Sequence, residues 1–255
     1  MKRFWAALGF LTVLPLPAAW QGNEDDLARS VCFYPVVGLL IGLSAAGIAA
    51  GLGKVFPPPV LSVLLVIWLA VVHGGLHMDG LSDTADGFFS PYGRERVLEI
   101  MKDSRIGAFG CMAICGAVAL KIAALFSLPS NLQIRAAVMA PLAGRCAMVL
   151  VMVFLPPARK EGLGSFFSSH RSAWEGILAV LILGAIGWCV VGTACLIVIA
   201  ALLIAAGLFG WISKRRIGGY SGDVLGAAGE IVETTTLLVL SMGPMGPLFS
   251  SGLLS

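Results

Sequence analysis

Asp79, Asp83 and Asp86 stand at i, i+4 and i+7 in the stretch His73-Gly74-Gly75-Leu76-His77-Met78-Asp79-Gly80-Leu81-Ser82-Asp83-Thr84-Ala85-Asp86-Gly87. On a helix that spacing turns all three carboxylates to one face within two turns, where like charges repel. Near a lipid boundary the arrangement calls for a cation, a cationic partner or carboxyl groups that keep their protons. Oxygen-only ligands suit Mg²⁺ or Mn²⁺, ions that complete their shells with water and substrate phosphates. The plainer reading is a solvated acidic turn that caps a helix. Against it, Gly74, Gly75, Gly80 and Gly87 remove side chains from around the acids and let a bulky ligand approach the backbone. His73 and His77 are also i, i+4, but Gly74 occupies the place where a zinc-protease helix carries its catalytic Glu. They read as hydrogen-bonding groups that support the acids, with His77 as general base the alternative.

Just downstream lie Arg94-Glu95-Arg96 and Lys102-Asp103-Ser104-Arg105. A basic loop against a membrane surface explains them by default. Beside three carboxylates, Arg94, Arg96, Lys102 and Arg105 also read as clamps for a diphosphate, since phosphoryl transfer needs metal-bound oxygens and Lys or Arg around the same phosphorus. A second polar patch, Gly218-Gly219-Tyr220-Ser221-Gly222-Asp223-Val224-Leu225-Gly226, continues to Glu230 and Glu233, so Asp223, Glu230 and Glu233 fall close to one helical face. Asp223 is expected in the same site, as a further metal ligand or as the base that accepts a substrate hydroxyl proton. Arg145, inside an apolar run, is the partner expected for Glu233 or Glu230, as a structural ion pair or as a further contact to a substrate diphosphate.

Stepping outward to the elements that carry these residues, the 255-residue chain is 58% apolar and 12% charged, with a mean hydropathy of +0.93. Such a composition belongs to a membrane protein and excludes disordered, collagen-like and disulfide-scaffold classes. Apolar segments at about 33–52, 60–78, 106–128, 133–155, 174–192, 194–212 and 224–250 predict seven helical spans. They lack the alternation of a barrel. The expected fold is therefore an all-α polytopic membrane bundle, with 1–255 as one membrane-embedded catalytic domain. Phe4 to Leu14 is too short to span and ends at Pro15 and Pro17, so it reads as an interfacial or re-entrant anchor, not a cleaved signal. Gly38 and Gly42, like Gly222 and Gly226, have the spacing that lets helices approach closely. The six cysteines read as packing residues, since Cys111 and Cys115 lack further soft ligands for zinc.

With 79–105 in the cytoplasm, 13 Lys and Arg residues fall on that side against 2 on the other, which fixes the orientation by the positive-inside rule. The same topology places 156–173 and 213–223 in the cytoplasm and puts all 14 acidic residues on that side or in the cytoplasmic half of a span. The basic residues are scattered in short clusters, which argues against a nucleic-acid partner.

The segment Gly74 to Gly87 closely resembles the cobalamin synthase family, the adenosylcobinamide-GDP ribazoletransferases. The resemblance continues through Leu11-Thr12-Val13-Leu14-Pro15-Leu16-Pro17, Leu98-Glu99-Ile100-Met101-Lys102-Asp103-Ser104-Arg105-Ile106-Gly107, Glu161-Gly162-Leu163-Gly164 and Gly218 to Ala227. It implies an enzyme of the bacterial cytoplasmic (inner) membrane whose active site faces the cytoplasm. That enzyme joins adenosylcobinamide-GDP to α-ribazole or its 5′-phosphate, releases GMP and requires Mg²⁺. The rival from another class is a cation-coupled secondary transporter, which would place broken helices and ionisable groups near the midplane in two related halves. No internal repeat is evident, and the main acidic cluster falls at the rim of a span.

Overall fold

The computed structural model describes residues 1–17, 20, 22–159, 167 and 172–242. The motif Glu161-Gly162-Leu163-Gly164 and the predicted end of the last span beyond residue 242 lie outside the described residues. Among those described there are eleven α-helices and no strand: α1 Lys2–Leu11, α2 Glu24–Ala28, α3 Tyr34–Leu52, α4 Pro58–Val72, α5 Leu76–Phe88, α6 Arg94–Ile100, α7 Ala108–Ser127, α8 Ser130–Phe154, α9 Ala173–Val191, α10 Ala194–Ile217 and α11 Gly222–Ser241.

Six helical segments are long and apolar enough to cross a bilayer: Val31–Leu52, in which a short 3-10 turn runs into α3, and α7 to α11. They account for six of the seven expected spans. The segment expected over 60–78 does not run as one straight helix, because α4 stops at Val72 and α5 starts at Leu76 with an 87° bend between them. Gly74 and Gly75 turn the chain there with φ of 63° and 74°. These left-handed values are open to glycine without strain. The Gly75 N–H donates to the Ala70 carbonyl at 2.9 Å and closes the end of α4. The acidic stretch is thus a helix of its own, packed on α7 and α11.

α8 is the axis of the bundle. Every residue from Ala136 to Met152 is buried, as expected of a helix apolar on all sides with neighbours all round. α3, α9 and α11 surround it. Gly38 and Gly42 let α3 lie directly on it: a Cβ at Gly38 would stand 2.7 Å from the Pro141 carbonyl oxygen, and one at Gly42 would strike the backbone of Val138.

α1 has 10 residues, about 15 Å of helix and half a hydrocarbon core. It is fastened to the bundle by the Val13 N–H, which donates to the Val72 carbonyl at 2.9 Å, and by Phe10 stacked on Tyr34 of α3 at 6.2 Å between centroids. It does not cross.

One end of the bundle gathers the polar connections. Pro157 and Tyr220 form an isolated parallel bridge. Arg94 donates from Nε to the Ile217 carbonyl at 2.8 Å and from Nη2 to that of Ala158 at 2.7 Å. Arg216 donates from Nη2 to the Ser90 carbonyl at 2.6 Å. Segments 87–98, 156–159 and 216–220 are therefore one surface, as the charge distribution requires. The connections at the opposite end, 53–57, 128–129 and 192–193, are short.

Candidate active site

The site is built where α5 crosses the start of α11. A Cβ on Gly80 would lie 2.6 Å from the Asp223 carbonyl oxygen, and one on Gly226 would lie 3.0 Å from the His77 Cα. Glycine on both helices makes that approach possible and sets Asp223 against the acidic face of α5. The glycines therefore do a different job from the one expected. Gly74, Gly80 and Gly87 are covered by Val13, Asp223 and Met101 respectively, so they admit neighbouring chain and not a ligand. Open space remains at Gly75 and at Gly222, where the predicted close helix approach does not occur.

The acids converge. Asp83 feels the negative charges of Asp79, Asp223 and Asp86 together, and Asp223 feels that of Asp79. Asp86 stands apart chemically, because its carboxylate accepts the Gly107 N–H at 2.7 Å and the Gly110 N–H at 2.9 Å. It caps the N-terminus of α7, so the capping alternative holds for this one member of the cluster. No donor among the described residues reaches the carboxylate of Asp79 or Asp83, and Asp223 accepts from Ser221 Oγ at 3.2 Å and from its own backbone N–H. Three carboxylates on two helices, with little to neutralise them, are the donor type that hard divalent cations take, although among the described residues they do not bring three ligand atoms within 4.8 Å of one another. Asp86 has its remaining lone pairs to add.

The basic residues divide differently from the expectation. Arg96 pairs with Glu99 at 2.7 Å on the exposed face of α6. Arg105 pairs with Asp103 at 2.6 Å, and its hydrogen bonds hold the Asp103 carboxyl down to about 2. Arg94 fastens α6 to the two neighbouring connections by the bonds described above. Lys102 is exposed. The cation that does bear on the acids is Arg159, whose charge acts on Asp223. Its place is set by the strand-like pairing next to it, where the Ala158 N–H donates to the Tyr220 carbonyl at 2.8 Å. Its Nη2 donates to the Leu98 carbonyl at 2.6 Å. Sequence reasoning missed it because 64 positions separate it from Asp223 and only the fold brings them together.

Beneath the acids runs a membrane-buried charge network. Arg145 Nη1 bonds Glu233 Oε1, the pairing expected. Arg145 has no exposed surface, so it ties α8 to α11 and drops out of the set of diphosphate contacts. Lys121 on α7 donates to Glu230 Oε2 at 2.5 Å and to Glu233 Oε2 at 2.8 Å. His73 and His77 do not form an i, i+4 pair on one helix. They flank the bend, with rings stacked at 4.2 Å between centroids. His77 borders a cavity of about 90 Å³ that Asp223, Phe10, Phe167 and Met148 also line.

A helical bundle of six spans and one broken helix, with clustered acids where the break meets the last span, defines a polytopic membrane protein with a site at one end of the bundle. The family model described as Cobalamin-5-phosphate synthase matches residues 3–241, and the chain belongs to that family. It is 35% identical to an adenosylcobinamide-GDP ribazoletransferase of Geotalea daltonii, over 94% of this chain and 97% of that relative. It is 39% identical to one of Roseiflexus sp., over 92% and 88%. A third, from Citrobacter koseri, is 35% identical over 94% and 99%. No solved structure matches the chain.

Proposed function

We propose that the chain is a Mg²⁺-dependent transferase that moves the phosphocobinamide group of adenosylcobinamide-GDP to α-ribazole or its 5′-phosphate, with its site facing the cytoplasm. The observation that carries the reading is the close approach of α5 to α11 at Gly80 and Asp223, which brings Asp79 and Asp83 within electrostatic reach of Asp223, in a chain whose relatives bear that activity in their names. In the reaction a ribose hydroxyl oxygen bonds to the phosphorus that carries cobinamide. The bond from that phosphorus to the bridging oxygen breaks, and GMP departs with the oxygen.

Asp79, Asp83 and Asp223 would hold Mg²⁺, with Asp86 able to add a lone pair; bound there, the ion would neutralise the diphosphate and polarise the leaving oxygen. Arg159 adds positive charge at the same place and offsets the three carboxylates against an incoming anion. The alternative role for Asp223, at the mouth of α11, is to take the hydroxyl proton in place of holding the ion, and general-base help of this kind contributes about 10²–10⁴ in rate. The corrin, too large for the bundle interior, would rest on the polar surface and on the lipid-facing rim around α5.

A broken helix and buried charges would also suit a cation-coupled transporter. The two differ in chemistry. Purified protein given the corrinoid nucleotide and α-ribazole should release GMP and lose that activity to EDTA, with recovery on Mg²⁺. Ion-coupled uptake into vesicles without GMP release would overturn the reading.

A further inference from the structure

We infer that His73, His77 and Glu230 form a second cation site, of the zinc class, that pins the broken helix to α11. One ligand atom from each of the three lies within 4.8 Å of the others. All three residues are buried, with exposures of 5%, 3% and 0%. His73 Nε2, His77 Nδ1 and Glu230 Oε1 are each buried without a well-formed hydrogen bond, the one approach among them being the long 3.4 Å contact from His73 to Glu230. A buried polar atom left unpaired costs about 1–3 kcal/mol, so three of them turned toward one point ask for a shared partner.

The donor set chooses that partner. Two imidazole nitrogens and one carboxylate oxygen suit a borderline divalent ion such as Zn²⁺, whereas the oxygen-only cluster of Asp79, Asp83 and Asp223 suits Mg²⁺. His73 Nε2 already stands 3.4 Å from Glu230 Oε1. The His77 N–H reaches His73 Nδ1 only at 3.5 Å, the outer limit of a hydrogen bond, so Nε2 is not committed to carrying the ring proton. Glu230 uses its other oxygen for Lys121, the outer hydrogen bond that a ligating carboxylate commonly carries. Lys121 and Arg145 balance the charges of Glu230 and Glu233.

The position gives the site its use. His73 closes α4, His77 opens α5 and Glu230 lies two turns into α11. An ion held by all three fixes the bend and, with it, the distance between Asp79 and Asp223. The inference does not depend on the transfer reaction.

The full-length protein in detergent, stripped with a chelator and returned to Zn²⁺ in a large excess of Mg²⁺, tests it by metal analysis. One Zn²⁺ per chain should be retained, and Co²⁺ in its place should give the strong visible absorption of a tetrahedral site. His73→Gln should lose both signals while the protein keeps its helix content. If that variant does not accumulate, the wild type still decides, because zinc on the aspartate cluster yields to excess Mg²⁺ and zinc on imidazoles does not. No bound zinc in the wild type, zinc displaced by Mg²⁺, or zinc kept in full by His73→Gln would each overturn the inference. The first outcome would mean that a water alone joins the three groups.

Discussion

At the residue scale the account rests on carboxylates that, among the described residues, Arg159 alone helps to neutralise. Asp83 is surrounded by three further acids, and Asn in its place keeps the size and removes the charge. Turnover of Asp83→Asn should fall by about 10³-fold, the scale of several kcal/mol lost from metal-assisted transfer, while the protein accumulates in the membrane as the wild type does. Assays of GMP release beside quantified membrane protein check this, and normal turnover would make the acidic face a cap. Arg159→Ala should raise KM for the corrinoid nucleotide by about tenfold or more, in keeping with the loss of one charged contact, and leave KM for α-ribazole unchanged. The aspartates were legible in the sequence because their spacing is local. Arg159 and Lys121 were not, since each acts on partners 64 to 112 positions away that only helix packing brings near.

At the element scale, the six unbroken spans could be read from apolar length alone, because a bilayer imposes that length. The break was harder to read. His73-Gly74-Gly75-Leu76-His77 fits a straight helix as well as a bend, and the two left-handed glycine conformations decide it. Gly75→Ala should cost about 1–2 kcal/mol, the penalty of a side chain in that region, seen as a lower midpoint in thermal unfolding in detergent. Gly80→Val should be worse for function, because its side chain would meet the Asp223 backbone and part α5 from α11. The buried charges make a second test of packing. Glu233→Leu leaves Arg145 uncompensated and should destabilise by about 3–5 kcal/mol, whereas Arg145→Leu together with Glu233→Leu, which keeps the Lys121–Glu230 pair, should recover most of the loss. Unfolding midpoints of the three proteins measure the difference.

At the scale of the whole molecule, the segments 87–98, 156–159 and 216–220 are tied into one surface, and the basic residues gathered there predict a cytoplasmic site. Ala158 and Ser213 are buried, so a label would miss them from either side; Glu95, which is exposed, and Val55 at the far end, 74% exposed, are the informative positions. In a cysteine-free background an impermeant reagent on intact cells should label Val55→Cys and spare Glu95→Cys. The central claim, that α5 and α11 build one Mg²⁺ site for transfer, is tested most directly by the Mg²⁺ dependence of GMP release in the wild type, Asp79→Asn and Asp223→Asn. Each substitution, one on each helix, should move half-activation to higher Mg²⁺ and lower the maximal rate. Wild-type Mg²⁺ dependence and rate in Asp223→Asn, beside a crippled Asp79→Asn, would contradict a shared site.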